Sequence, residues 1–380
     1  MSREFNSQIK LGVLGGGQLG RMLHQSAINL NIDLKVMDPS ADAPCATLIQ
    51  DFHVGDLEDY DAVYEFGQSC EVLTIEIEKV NISALKKLQE EGVKVFPQPE
   101  VIEIIQDKRV QKQFYLENNI PTSPFILTEK RSDLEALKDK LPAVHKIGKG
   151  GYDGRGVQMI RTEEDIAKGF DAPALLEELV NYRKELAVIV ARNEAGEIRA
   201  FPPVEMVFHP EHNLVEYLLS PAMCTKEENE QAIEVAKDVI QKMDMVGLLA
   251  VEMFLDKDGK ILVNEVAPRP HNSGHQSIEG NFTSQYDQHL RSILNLPLGD
   301  TAIKSTSAMV NLLGEDGHTG LAKYEGLHEV LALSGVQVHL YGKKLTKPFR
   351  KMGHVTISDP EINRLKEKIQ IIKNKLKVIA

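Results

Sequence analysis

The first hundred residues alternate between short apolar runs and helical stretches, and that alternation restricts the fold more than any other feature. Ile9-Lys10-Leu11-Gly12-Val13-Leu14 reads as a buried strand, Gly15-Gly16-Gly17-Gln18-Leu19-Gly20 turns into a helix over 21–30, and Leu34-Lys35-Val36-Met37-Asp38 is the next strand. Val72-Leu73-Thr74-Ile75-Glu76 and Val93-Lys94-Val95-Phe96 complete the set before Pro97 and Pro99. Parallel strands need long crossovers, so strands separated by helices imply a parallel, Rossmann-like α/β sheet. A helix is predicted over 101–118, ended by Ile120-Pro121-Thr122.

Beyond this point the pattern becomes α+β. Strands are predicted at 143–146, 187–190, 248–254 and 260–264, with a helix near 227–242. Asp256-Lys257-Asp258-Gly259 is a hairpin turn. Ser284 with Asp287 can cap a helix running to Asn295, which Pro297-Leu298-Gly299 ends. Residues 302–380 alternate in strand fashion and close with a Lys-rich amphipathic helix over 361–377. The expected division is 1–106, 107–298 and a small, mostly β segment at 299–380, and 380 residues are enough for each part to bury a core.

Charge and cysteine usage narrow the partners. The formal net charge is −12, which argues against a nucleic-acid binder with a dominant basic face. Lys343, Lys344, Lys347, Arg350 and Lys351 run against that average and suit a small anion. No run of about 18 apolar residues exists, so no membrane span is expected. The N-terminus lacks an apolar signal core. Cys45, Cys70 and Cys224 lie far apart without a CxxC, which suits a reducing, cytoplasmic setting. All three are expected to be small buried hydrophobes, with no disulfide and no zinc site.

Two blocks carry chemistry. Lys146-Ile147-Gly148-Lys149-Gly150-Gly151-Tyr152-Asp153-Gly154-Arg155-Gly156-Val157 joins a lysine to a glycine-dense loop whose N–H groups can approach a polyphosphate closely. About a hundred residues later come Glu252 and then Asn264-Glu265-Val266-Ala267-Pro268-Arg269-Pro270-His271-Asn272-Ser273-Gly274-His275. The hairpin turn between them brings Glu252 and Glu265 together, and Mg²⁺ takes carboxylate oxygens plus phosphates. A carboxylate among Val251, Met253 and Phe254 must be paired or metal-bound. This describes an ATP site without a Walker motif. Gly15-x-Gly17-x-x-Gly20 with Asp38 matches the dinucleotide fingerprint, yet nothing downstream suits hydride transfer, and NAD is not expected. A phosphate of another ligand on Gly17, Gln18 and Leu19, or a tight turn with no ligand, both remain open.

These blocks, in this order, resemble the ATP-grasp superfamily, and within it the N5-carboxyaminoimidazole ribonucleotide synthase family. The resemblance spans essentially the whole chain. It includes Asp38-Pro39, Thr74-Ile75-Glu76-Ile77-Glu78, Asp107-Lys108, Thr283-Ser284-Gln285-Tyr286-Asp287-Gln288-His289-Leu290 and Arg350-Lys351-Met352-Gly353-His354. It implies an ATP-grasp fold behind a pre-ATP-grasp domain. The implied reaction is ATP- and bicarbonate-dependent carboxylation of 5-aminoimidazole ribonucleotide through carboxyphosphate, in purine biosynthesis.

The resemblance also implies roles. Lys108 and Lys146 would contact phosphates. Gly151, Tyr152, Asp153, Gly154, Arg155, Gly156 and Val157 would form a lid that keeps water from carboxyphosphate, with Tyr152, Asp153 and Arg155 also touching the ribonucleotide. Glu177, Glu178, Leu179 and Val180 would read adenine through backbone groups, and Glu185 would hold the ribose hydroxyls. Asn264 and Glu265 would face ATP, and Glu252 and Glu265 would hold one Mg²⁺ or two. Arg269 would grip bicarbonate or carboxyphosphate, with His271, Asn272, Ser273 and His275 lining the pocket, and the base is open between the two histidines. Glu76 would meet the substrate ribose or amine, and Lys343, Arg350 and Lys351 its 5′-phosphate. A homodimer using the helix over 284–295 and a downstream mutase that takes the product are also implied.

The chain departs from the family twice. Glu205-Met206-Val207-Phe208-His209, followed by His212, shifts a histidine by one position, so neither His209 nor His212 is assigned to ATP. Arg155 stands where lysine is common. The lysines from Lys366 to Lys377 are expected to be helix surface. Formate-dependent glycinamide ribonucleotide transformylase and biotin carboxylase are the nearest rivals, and the short C-terminal segment and the Arg-Pro-His-Asn-Ser-Gly-His run argue against both. A dehydrogenase lacks a hydride site here, and a silent nucleotide-binding regulator would not need the Glu252 and Glu265 pair.

Overall fold

A computed structural model describes residues 5–151, 156–208 and 214–380. The N-terminal elements are β1 (Leu11–Leu14), α1 (Gln18–Asn29), β2 (Leu34–Asp38), β3 (Asp51–Val54), α2 (Tyr60–Gln68), β4 (Val72–Ile75), α3 (Ile82–Glu90) and β5 (Lys94–Val95). The strands form one parallel sheet in the order β3-β2-β1-β4-β5. β1 and β4 are buried throughout, as their apolar sequences require. β3 was not expected, because it is an edge strand whose Asp51 and His53 face solvent and leave no apolar run. Gly15 follows β1 at φ 108°, a conformation that excludes most side chains, and turns the chain into α1.

The single helix expected over 101–118 is two helices, α4 (Pro99–Gln106) and α5 (Lys108–Glu117). Asp107 is extended, and its carboxylate accepts from Arg109 N at 3.0 Å. Lys108 N donates to Gly148 O at 2.8 Å. A short polar side chain that captures a nearby backbone N–H competes with helix continuation. The break makes Lys108 the first residue of α5, beside the glycine-rich segment.

A second sheet follows. β6 (Phe125–Thr128), β7 (Ala143–Ile147), β8 (Val157–Ile160) and β9 (Ala174–Glu178) run antiparallel in the order β6-β9-β7-β8. The third and largest sheet begins with β10 (Tyr182–Arg192), β11 (Ile198–Ala200), β12 (Val204–Phe208) and β13 (Val215–Ser220). After α6 (Lys226–Lys242) come β14 (Gly247–Asp256), β15 (Ile261–Ala267), α7 (Ser277–Gly280) and α8 (Gln285–Ile293). α6 starts in a capping box: Thr225 Oγ1 accepts from Glu228 N at 3.3 Å, and Glu228 Oε2 accepts from Thr225 N at 3.0 Å. Its Ala232, Ala236, Val239 and Ile240 pack on Leu186, Val188, Leu249 and Val251 of β10 and β14.

The C-terminal elements are β16 (Ser307–Leu313), β17 (Gly320–Leu321), β18 (Lys323–Glu325), α9 (Leu327–Leu331), β19 (Val336–Leu340), β20 (Leu345–Thr346), β21 (Lys351–Ser358), α10 (Ile362–Lys375) and β22 (Lys377–Ile379). β16 pairs with β13, so the sheet runs without a break as β15-β14-β10-β12-β13-β16-β21-β19, with β11 beside β10. Residues beyond 298 therefore add strands to the central sheet while packing a core of their own around Val355, Leu365 and Ile369.

Four expectations are corrected by packing. α8 stops at Ile293, because Asn295 takes φ 53°. Tyr286, Leu290 and Ile293 bury α8 against the N-terminal core, so this helix does not offer a dimer surface. Cys45 and Cys70 are buried, but Cys224 is only partly so. Among the C-terminal lysines, Lys368 pairs with Asp359 at 2.8 Å and Lys373 with Glu216 at 2.8 Å, and Lys377 belongs to β22. No helix among the described residues is long and apolar enough to cross a membrane. Asp107→Ala should lower the unfolding free energy by about 1 kcal/mol through the lost cap. A urea titration checks this, and an unchanged midpoint would mean that Asp107 does not define the start of α5.

Candidate active site

The hairpin β14–β15 places Glu252 directly opposite Glu265. A register shift follows immediately, between Glu252 and Met253. Such a bulge re-aims side chains without ending the ladder. Two carboxylates in one place repel, and the surroundings treat them differently. Lys108, from the start of α5, forms an ion pair with Glu265. That ammonium holds the Glu265 carboxyl below the usual range, outweighing the effect of burial. Burial pushes Glu252 upward, with the Glu265 charge adding to it, while Nε2 of His271 lies 3.6 Å away. Ser273 N donates to His271 Nδ1 at 3.3 Å. His271 Nδ1 also meets Ser273 Oγ at 2.9 Å, so Nε2 is the ring nitrogen directed at Glu252.

A second group of charges lies beneath. Lys146, near the end of β7, reaches Asn264 Oδ1 of β15 at 2.9 Å and Glu177 Oε2 of β9 at 2.9 Å. The other oxygen of Glu177 meets Lys112 Nζ at 3.1 Å. Burial would push the Glu177 carboxyl up, but Lys146 and Lys112 hold it below its ordinary value. Glu177 is expected to read adenine through its backbone, and its side chain turns into the protein. Glu178, at the end of β9, donates its N–H to Pro124 O at 2.9 Å, and Leu179 and Val180 follow outside the strand. Glu185 on β10 is partly buried, which pushes its carboxyl up, and Tyr182 hydrogen-bonds it.

The loop after β15 supplies the remaining groups. Arg269 pairs with Glu78 at 2.8 Å and donates to Pro270 O at 3.1 Å. Gln285 clamps the loop by donating to His271 O at 2.9 Å and accepting from His271 N at 2.9 Å. Asn272 is half-buried and Ser273 buried, both in a short 3₁₀ turn. His275, expected to line the pocket, is buried instead. Its Nδ1 meets Gln285 Nε2 at 2.9 Å and the Tyr286 hydroxyl at 3.2 Å. Its ring stacks on His354 at 4.6 Å, and His354 stacks on His339 at 4.4 Å. Of the two histidines the sequence left open, His271 is therefore the one that faces the carboxylates.

At the N-terminus of α1, the expected position of a ligand phosphate is taken by the chain itself. Glu76 Oε2 accepts from Gly20 N at 3.0 Å, and a Cβ on Gly17 would fall 2.3 Å from Glu76 Oε1. Asp38 accepts from Gly16 N at 2.8 Å. Glu76 and Asp38 thus take up N–H groups that a phosphate would need at this helix start. Burial raises the Glu76 carboxyl to about 7. Gln18 and Leu19 open α1 beside it.

The basic loop approaches from the C-terminal side. Lys343 donates to Lys351 O at 2.8 Å and lies 5.6 Å from the Tyr341 ring centre. Arg350 donates to Leu345 O at 2.6 Å. A Cβ on Gly342 would lie 3.0 Å from Arg21 Nη1, so this loop abuts α1. In the glycine-rich segment, Gly151 is half-buried, Gly156 takes φ 84° and accepts from Ile147 N at 2.9 Å, and Val157 opens β8. Tyr152, Asp153, Gly154, Arg155, His209 and His212 lie outside the described residues.

Profiles of known domain families match in the same order. The ribonucleotide synthetase pre-ATP-grasp domain matches residues 8–106, the ATP-grasp domain 113–286, and the phosphoribosylaminoimidazole carboxylase C-terminal domain 307–368. N5-carboxyaminoimidazole ribonucleotide synthase of Bacillus subtilis is 35% identical over 373 residues, covering 96% of this chain and 94% of that protein. The chain belongs to the N5-carboxyaminoimidazole ribonucleotide synthase family. The Synechococcus elongatus synthase is 37% identical over 357 residues, covering 91% of this chain and 89% of that one. The crystal structure of the Thermotoga maritima synthetase superposes with a TM-score of 0.91 at 41% identity, covering 98% of this chain and 100% of that chain. The Aspergillus clavatus synthase, solved with ADP and 5-aminoimidazole ribonucleotide, gives 0.89 at 32% identity, covering 97% and 98%.

Three groups were missed in the sequence. Lys112 stands four residues after Lys108, one turn along the same helix face, and that spacing was a usable signal. Glu78 and Gln285 carried none, because their partners are distant in sequence.

Acid should expose the buried histidines. Thr74 Oγ1 meets His289 Nε2 at 2.9 Å, and burial lowers His289 from 6.5 to about 3. Burial also lowers His275 and His354. Each binds its proton in the unfolded chain first, so stability is full above pH 6.5 and falls below it, by about 1.4 kcal/mol per pH unit per histidine. His289→Gln should flatten that acid limb by one proton, measured from chemical unfolding between pH 4 and 7. An unaltered slope would show that His289 titrates alike in both states.

Proposed function

We propose that this protein carboxylates 5-aminoimidazole ribonucleotide with bicarbonate and ATP, giving N5-carboxyaminoimidazole ribonucleotide, ADP and phosphate, in purine biosynthesis. It is an ATP-dependent carbon–nitrogen ligase. The observation that carries the reading is the meeting of Lys108 and Lys146 with the Glu252 and Glu265 pair in one cluster of side chains. Bicarbonate oxygen takes the γ-phosphoryl group as ADP leaves, and the amine nitrogen then bonds to the carboxyl carbon as phosphate leaves and the amine proton is lost.

The chain's residues serve these steps by position and charge. Lys108 and Lys146 turn from their glutamates toward the phosphates and neutralise the charge that develops in transfer. Glu177, Glu178, Leu179 and Val180 offer backbone groups to adenine, and Glu185 accepts from the ribose. Arg269 holds bicarbonate through its planar fork, and His271 donates from Nε2. Glu76 meets the ribose or amine of the acceptor, beside Gly17, Gln18 and Leu19 at the start of α1, while Lys343, Arg350 and Lys351 meet its phosphate. Gly151, Tyr152, Asp153, Gly154, Arg155, Gly156 and Val157 exclude water, and Asn272 and Ser273 line the pocket.

The donor set fits Mg²⁺. Glu252 and Glu265 present hard oxygens, with the Asn264 amide beside them. Phosphate oxygens would complete the shell, as Mg²⁺ prefers. When bound, Mg²⁺ offsets phosphate charge. The three-part division at 106 and 298, a cytoplasmic location, a homodimer through a face other than α8, and a mutase that consumes the product belong to the same reading.

The test is ADP release with ATP, Mg²⁺, bicarbonate and 5-aminoimidazole ribonucleotide, omitting each in turn. Turnover should require the ribonucleotide and yield an acid-labile carboxylated product; glycinamide ribonucleotide with formate should not replace it. Glu265→Ala and Arg269→Ala should each lower kcat/KM by on the order of 100-fold or more, Arg269→Ala in the bicarbonate-dependent step. Near-normal rates in a folded variant would remove that residue from the site.

A further inference from the structure

Lys112 is the most deeply buried lysine of the cleft, 2% exposed, and no step above uses it. Its three N–H groups have three acceptors: Thr122 Oγ1 at 2.5 Å, Ser123 Oγ at 3.0 Å and Glu177 Oε1 at 3.1 Å. Thr122 is itself fixed by donating to Val263 O at 2.7 Å. Lys112 thus has no donor left for a ligand. Glu177 is 3% exposed and divides its two oxygens between Lys112 and Lys146. The two lysines differ in one respect. Lys146 also reaches Asn264, next to Glu265 on the hairpin, whereas Lys112 is enclosed by α5, β9 and the residues after Pro121.

We infer that Lys112 is a positioning residue for ATP: it stays on Glu177 as a permanent counter-charge, so that Lys146 can leave Glu177 for the nucleotide phosphates. The inference rests on the reading of Lys146 as a phosphate contact and deepens it. A buried carboxylate that loses its only cation is strongly destabilised. With Lys112 present, Glu177 keeps one ion pair when Lys146 moves. Without Lys112, every phosphate contact by Lys146 would strip Glu177 of its last cation and leave it only the Ser123 hydroxyl, which donates to Glu177 Oε2 at 3.3 Å, and Glu177 would compete with ATP for Lys146. Burial pulls the Lys112 ammonium down to about 8, and Glu177 opposes that pull, as expected of a cation kept charged by one carboxylate.

The experiment measures MgATP binding to the full chain by calorimetry, without bicarbonate or acceptor, alongside steady-state rates. Lys112→Met should weaken ATP binding by at least about tenfold and raise the KM for ATP far more than it lowers kcat. Glu177→Gln removes the stranded charge, so Lys112→Met combined with Glu177→Gln should bind ATP at least about tenfold more tightly than Lys112→Met alone. A residue that merely supports packing would give no such rescue. Wild-type affinity in Lys112→Met, or a double variant as weak as the single one, overturns the inference. If Lys112→Met does not fold, the double variant decides: it must fold and bind ATP within about threefold of Glu177→Gln, or the inference fails. Lys146→Met separates the premise. Undiminished ATP binding there removes the phosphate contact and this inference with it, while the carboxylation reaction stands or falls by the ADP-release assay.

Discussion

Charge neutralisation within one cleft is the constraint on which the rest of this structure depends. Glu252, Glu265 and Glu177 converge from β14, β15 and β9, and three lysines from α5 and β7 answer them. Such a cluster would be unfavourable if any member lacked a partner. The pairing is also what makes the cleft receptive. Lysines held on carboxylates are already oriented, and a polyanion that arrives with a cation exchanges partners without leaving charge unpaired. Glu252 is the exception: burial and the neighbouring Glu265 charge raise its carboxyl.

The architecture gathers these groups from every part of the chain. The break at Asp107 starts α5 at Lys108 and tethers it to Gly148, so one lysine and the glycine-rich segment share an anchor. The continuation of the central sheet through β16 and β21 carries the basic loop to α1 and to the hairpin. The column His275, His354 and His339 ties the loop after β15 to β21 and β19. With Gln285 clamping His271, the column leaves that loop little freedom. Arg269 and His271 are therefore presented by a loop that is braced on both sides.

Much of this was legible in the amino-acid order because the signals were local. Period and turn chemistry located the parallel sheet, the hairpin and the α8 cap, and a hairpin necessarily brings Glu252 opposite Glu265. Local signals failed where a competing contact was non-local. The helix break needed Gly148 and Lys149, distant in sequence, to receive Lys108 and Asp107. β3 has no apolar run, since it covers only a sheet edge. The local pattern of α8 shows its cap but not its neighbours, and the N-terminal core buries it.

By itself the sequence determined the main element types, the glycine-rich loop and the acidic hairpin, because each follows from residues near one another in the chain, while the reaction was implied by the resemblance of the blocks to the synthase family. Only the tertiary structure decided which charges are paired, that Glu76 fills the α1 N-terminus, that His271 and not His275 faces the carboxylates, and that Lys112 shares Glu177 with Lys146. The reason is physical: ion pairing and burial depend on distances between residues up to 302 positions apart, and no local pattern encodes them.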